Sequence, residues 1–253
     1  MPGADILSGY FPRFLLILLR SSVFFSFLPI LGSTSLPGRF RIGLAVAIAA
    51  LLTPVVDFRA GENDVAILVL REVVLGMVMG LSVRFVFYGV EIAGQMMSDT
   101  MGMSIATVFN PEIGQTTEIS QLLAIMTTLL FLATDAHHDL IAIFVRSYDL
   151  LPAGASDVGA LVREGISLVG RIFIIGLKLG APVVIGMVTL NLLLGFLVKA
   201  TPQINIFFIS FPLFIGVGFV ILLMALPVYL AAIGGSFGEI RTEMTRVIGM
   251  AGR

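Results

Sequence analysis

The sequence predicts an all-α, polytopic membrane-type chain built of helical hairpins. Three observations predict it. Of 253 residues, 58% are hydrophobic and only 12% are charged, about half the charge of a soluble domain. Mean hydropathy is +1.07. The apolar residues also gather into six runs, at 14–31, 42–56, 73–90, 119–134, 172–198 and 204–235. The length would suffice for one or two soluble domains, but there is too little polar surface to cover them. A net charge of −1 offers no basic patch for nucleic acid. The absence of Cys excludes disulfides and thiolate chemistry. Asp5 precedes the first cation, Arg13, and no Ala-x-Ala site follows the first run, so a cleaved leader is not expected.

Each run departs from a simple span, which needs about 20 apolar residues to cross about 30 Å of hydrocarbon. The first is interrupted by Arg20, the third by Arg84 and the fifth by Lys178. The second has 15 residues and the fourth 16. The sixth lies in an uncharged stretch of 39 residues, 200–238, containing Pro212 and Pro227, and is expected to bend there because Pro lacks the N–H and clashes with the preceding turn. A cation at a helix centre costs about 2.5–3.5 kcal/mol on insertion scales, so the mid-run cations should face protein or water. Arg84 and Glu91 are seven apart, as are Arg171 and Lys178, placing each pair on one helix face. Snorkelling, intersubunit ion pairing and a direct role in a conduit all remain open for them.

Sidedness points the same way. Arg39 and Arg41, and Arg241, Arg246 and Arg253, favour the cytoplasm. Between 85 and 145 there is no Lys or Arg, while six acids occur: Glu91, Asp99, Glu112, Glu118, Asp135 and Asp139. The run 119–134 lies within that section, so either a hairpin that enters and returns, or an element packed on protein, is expected there. Small-residue spacings, Gly76-x-x-x-Gly80 and Gly216-x-Gly218, permit close helix approach, within the chain or between chains.

No H-E-x-x-H, G-x-S-x-G, P-loop or paired intramembrane carboxylates occur. In His137-His138-Asp139, adjacent side chains on a helix point apart, so a shared metal is not expected; Asp135 and Asp139 suit helix ends instead. Met96, Met97, Met101 and Met103 cluster before a polar stretch, where they could pack ordinarily or form an adaptable surface. That stretch, MGMSIATVFNPEIGQTTE at 101–118, is cation-free and broken by Asn110-Pro111 and Gly114.

Together these residues resemble the FliR family of flagellar export proteins, with counterparts in virulence type III secretion. The resemblance runs nearly end to end: Arg20, Pro29, Pro37 and Arg39; Glu72, Gly76 and Gly80; Gly89 and Gly94; Asn110-Pro111; the turn DAHHDL (135–140), Ser147 and Pro152; Pro182 and Asn191; then KATPQINIFFISFPLFIG (199–216), with Pro202, Gln203, Asn205 and Pro212. One departure is Asp135-Ala136, where the family has small glycine-type residues before the His.

The resemblance implies a non-enzymatic, cofactor-free subunit of an export gate in the bacterial inner membrane, at a flagellar basal body or injectisome base. It implies assembly with FliP and FliQ, contact with FlhB, and passage of unfolded export substrates. It implies helical hairpins, FliP-like over 1–165 and FliQ-like over 166–253. By position it makes 104–117 a pore plug, with Met103, Ser104, Ile105, Ala106, Val108, Phe109, Asn110, Pro111, Gly114 and Gln115 as its residues. Arg20, Arg71, Glu72, Arg84, Glu91, Arg171, Lys178 and Lys199 are then expected to meet neighbouring subunits. A secondary transporter with broken helices around Lys178 or Arg84 is the alternative, although no paired broken segments occur in two halves. A membrane enzyme using the His pair is a third reading.

Overall fold

The computed structural model describes residues 2–29, 37–56, 65–104, 117–152, 156–200 and 206–251. Every regular element among them is an α-helix: α1 Pro2–Phe27, α2 Gly38–Leu52, α3 Val65–Thr100, α4 Glu118–Ala133, α5 Ala136–Leu150, α6 Val158–Ala200 and α7 Ile206–Ala251. The chain divides into two compact units. One is formed by Met1–Phe85, Phe131–Gly170 and Ser236–Arg253, the other by Val86–Leu130 and Arg171–Gly235.

Helical spacing explains which residues are buried. On α1 the buried set is Leu16, Ile17, Arg20, Ser21, Phe24 and Phe25, repeating at three and four as a single face requires. On α5 it is Leu140, Ile143, Phe144, Ser147 and Tyr148, while Asp139, Arg146 and Asp149 are exposed. Helix α2 buries only Ala45, Ala49 and Leu52. The stripe on α6 is narrower for its length: Leu161, Leu168, Ile172, Leu179, Val183, Met187 and Leu194.

Four helices, α1, α3, α6 and α7, are long and apolar enough to cross a membrane, and α4 with α5 forms a pair bent by 67° that counts as a broken or re-entrant fifth. Buried residues make up 44% of the apolar window in α3, against 11% in α6 and 17% in α7. Most side chains in the apolar windows of the last two helices are therefore not buried within the chain. At 1.5 Å per residue the 36, 43 and 46 residues of α3, α6 and α7 run about 54, 65 and 69 Å, well beyond the roughly 30 Å hydrocarbon layer.

Two features add to the reading of the apolar runs. Helix α7 continues through Pro212 and Pro227, the positions of the expected bends, and α6 through Pro182. A proline frees one carbonyl, and in apolar helices neighbouring groups and local backbone adjustment satisfy it. Helix α5 corresponds to none of the six apolar runs, because its charges break the run while its amphipathic face supports the helix.

Candidate functional site

The segment expected to form a plug begins where α3 stops, and local chemistry explains the stop. Gly102 has φ of +76°, a left-handed conformation that glycine adopts without strain. Met103 N–H donates to Ser98 O at 3.0 Å and Gly102 N–H to Asp99 O at 3.2 Å. This is the paired six-to-one and five-to-two pattern that closes a helix at a C-terminal glycine. Met101, fully buried, anchors the same turn in the second unit. A Cβ on Gly218 would lie 2.6–2.7 Å from its Cγ, Cε and Sδ, so α7 approaches here only because residue 218 has no side chain.

The segment ends where α4 starts, and that start is also fixed. Thr117 Oγ1 accepts the Ser120 N–H at 3.4 Å and shares a 2.9 Å hydrogen bond with Ser120 Oγ, as a helix-initiating hydroxyl does. Ser120 Oγ also donates to the Glu91 carbonyl of α3 at 3.1 Å. Gly94 permits that contact, since a Cβ there would meet Ser120 Cα at 2.5 Å and its backbone N at 2.8 Å. The chain thus leaves α3 just past Thr100 and returns against Gly94, six residues or about 9 Å back along the same helix. The intervening plug residues Ile105, Ala106, Val108, Phe109, Asn110, Pro111, Gly114 and Gln115 lie outside the described residues; Met103 and Ser104 are described and half-buried.

Beside this footing lies a cleft of about 400 Å³ lined by Asp99, Thr100, Gly102, Met187, Asn191 and Phe211, among others. Gln95 Nε2 donates to Asp99 Oδ1 at 2.9 Å, and Asn191 Nδ2 donates to Met187 O at 3.0 Å. The walls of the cleft carry aromatic rings, an amide, hydroxyls and one carboxylate. Of the methionine cluster, Met97 and Met101 are fully buried and pack ordinarily, while Met96 and Met103 are half-buried.

In the first unit the expected interface charges behave differently. Arg20 is fully buried, and its Nε and Nη2 donate to both Glu72 carboxylate oxygens, at 2.6 and 3.0 Å. Nη1 donates to Ser147 Oγ at 3.1 Å and Nη2 also to the Leu151 carbonyl at 3.3 Å. The guanidinium lies 4.0 Å from the Tyr148 ring centre, within cation–π range. Gly76 permits this approach of α1 to α3, because a Cβ there would come within 2.8 Å of the Arg20 carbonyl. The expectation that sister subunits meet Arg20 and Glu72 is therefore corrected: Arg20 is bonded to groups on α3 and at α5, and Glu72 to α1, all within the same chain. Arg71, Arg84 and Arg171 are half-buried and Glu91 is exposed, and all four take part in interactions within the chain. Lys178 and Lys199 are exposed on α6.

The His turn differs from its expectation as well. Asp135, preceding α5, has φ of 54° and its carboxylate makes no capping hydrogen bond. Ligand atoms of Asp135, His137 and His138 lie within 4.8 Å of one another. The His137 and His138 ring centres lie 4.1 Å apart, and the left-handed Asp135 brings its own carboxylate to the same turn.

Comparison with known proteins agrees with this architecture. The bacterial export proteins, family 1, match residues 11–240. The flagellar biosynthetic protein FliR of Escherichia coli (strain K12) is 30% identical over 240 residues, covering 91% of this chain and 90% of that protein. FliR of Bacillus subtilis (strain 168) is 28% identical over 253 residues, 96% of each chain, and FliR of Pectobacterium carotovorum is 32% identical over 208 residues, 79% and 78%. An all-helical polytopic chain, matched over nearly its whole length in this way, belongs to bacterial export protein family 1, the family of the FliR proteins.

Proposed function

We propose that this chain is a non-enzymatic membrane subunit of the flagellar protein export gate. It sits in the bacterial inner membrane with FliP- and FliQ-type subunits and an FlhB-type neighbour, and forms part of the entry pore for unfolded substrates. Residues 1–165 correspond to the FliP-like part and 166–253 to the FliQ-like part. Residues 104–117 act as the plug. Lys178 and Lys199, exposed on α6, face neighbouring subunits or anionic headgroups, as do the outward parts of Arg71, Arg84, Glu91 and Arg171.

The observation that carries the plug reading is the footing. Both stems are fixed on α3, one by Gly102 and Met101, the other by Ser120 against Glu91 and Gly94. What runs between them is polar, cation-free and broken by Asn110-Pro111. Fixed stems at both ends suit a reversible closure, in which arriving substrate must outcompete the closed-state contacts.

Deleting 106–116 tests the reading. The expected strain assembles the gate, as co-purification of FliP and FliQ would show, but admits ions and small dyes across the inner membrane. Dye exclusion and export at the wild-type level would refute the plug. Failure of the chain to co-purify with its neighbours would refute the gate itself.

A further inference from the structure

We propose that Asp135, His137 and His138 form a binding site for one borderline divalent cation, with Zn²⁺ the best match, at the turn between α4 and α5. Ligand atoms of the three side chains lie within 4.8 Å of one another. The Oδ1 of Asp135 and Nδ1 of His138 are 3.4 Å apart. Zinc bonds to N and O run about 2.0–2.2 Å, so neighbouring ligands of a tetrahedral ion sit about 3.3–3.5 Å apart, and this pair already has that spacing.

The two imidazoles face each other, ring centres 4.1 Å apart at 38°, and do not diverge as adjacent helical side chains do. One is held in place. The His137 ring lies 6.3 Å from that of Phe131, which packs in turn at 5.3 Å on Phe237. Its Nδ1 is buried without a hydrogen-bond partner among the described residues. The other two ligands, 71% and 74% exposed at His138 and Asp135, are free to close by rotamer adjustment. Asp135 is available because its carboxylate does not cap α5.

The donor set fixes the class of ion. Two imidazoles and one carboxylate, with water completing the shell, suit Zn²⁺ and its borderline neighbours. Mg²⁺ and Ca²⁺ prefer all-oxygen shells and should not compete. The site is independent of the export reading, since it draws on no residue of the α3–α4 footing.

Untagged full-length chain, stripped with a chelator in detergent, is titrated with Zn²⁺ against a chromophoric competitor. The expected result is one Zn²⁺ per chain, with affinity reduced about tenfold or more by His138→Ala or Asp135→Asn. Zn²⁺ should raise the wild-type melting temperature but not that of His138→Ala, whose metal-free melting temperature should equal the wild type's because the side chain is exposed. Mg²⁺ over the same range should have no effect. Absence of stoichiometric Zn²⁺ binding would overturn the proposal. So would binding that persists when both histidines are replaced, or a Zn²⁺ response unchanged in His138→Ala.

Discussion

Both units use glycines to bring helices close, at Gly76 in the first and Gly94 in the second, but they differ in what else holds the helices together. The first unit uses a buried charge: Arg20 meets Glu72, Ser147, Leu151 and Tyr148 inside a shell of Phe24, Phe25 and Phe144, whose rings lie 4.8–5.6 Å apart. The close contacts described in the second unit rest on missing side chains without such a charge network. Gly94 admits Ser120, Gly89 and Gly176 bring α3 and α6 together, and Gly218 admits Met101. The lesson concerns tolerance. A charge network specifies one arrangement and penalises any loss of a member, whereas close backbone contact rests on dispersion and is penalised by any gain in size.

Four substitutions break or sharpen that contrast. The largest effect is expected for Glu72→Ala, which strands the buried Arg20 and should destabilise the chain by about 3–5 kcal/mol, read as lost accumulation in the membrane and a lower denaturation midpoint. Combining Arg20→Met with Glu72→Leu should recover most of that loss, since an apolar pair of similar volume removes the unpaired charge. Next comes Gly94→Ala. Backbone atoms of Ser120 stand 2.5 and 2.8 Å from the new methyl and cannot step aside, so a loss of about 1–3 kcal/mol and impaired swimming are expected. Gly218→Ala meets only the flexible end of Met101. Its loss should be nearer 1 kcal/mol, and Met101→Val in the same chain should restore the wild-type midpoint by returning the volume. Smallest, and opposite in sign, is Gly170→Ala on α6, where a Cβ meets nothing within 4 Å. Helix propensity alone should then stabilise the chain by up to about 1 kcal/mol. Equal effects at Gly94 and Gly170 would erase the distinction drawn here.

Much of this was legible beforehand, and the gaps have physical causes. An arginine inside an apolar run had to face protein, and Arg20 does, but nothing local to residue 20 names Glu72, 52 positions away. Helix α5 escaped because counting apolar runs misses a helix whose outer face carries Asp139, Arg146 and Asp149; the spacing of Leu140, Ile143, Phe144 and Ser147 was the signal that could have found it. Pro212 and Pro227 were expected to bend the last run, and both lie inside the single helix α7. Adjacent positions on a helix did not reveal that the His137 and His138 rings lie 4.1 Å apart, because rotamers and not backbone spacing set that distance. Of the footing, Gly102 and Gly94 were visible only as small residues; their roles depend on carbonyls and a serine brought near by folding.

The bonding of Arg20 imposes an order on biogenesis. The carboxylate it binds lies 52 residues downstream, and the carbonyl it binds lies 131 residues downstream. Synthesis proceeds from the N-terminus, so α1 emerges carrying a cation whose permanent mates have not yet been made. Until residue 72 has been translated, that guanidinium must wait beside water, headgroups or the insertion machinery, and its full set of bonds needs residue 151. Helix α1 can therefore take its final seat only after more than half of the polypeptide exists.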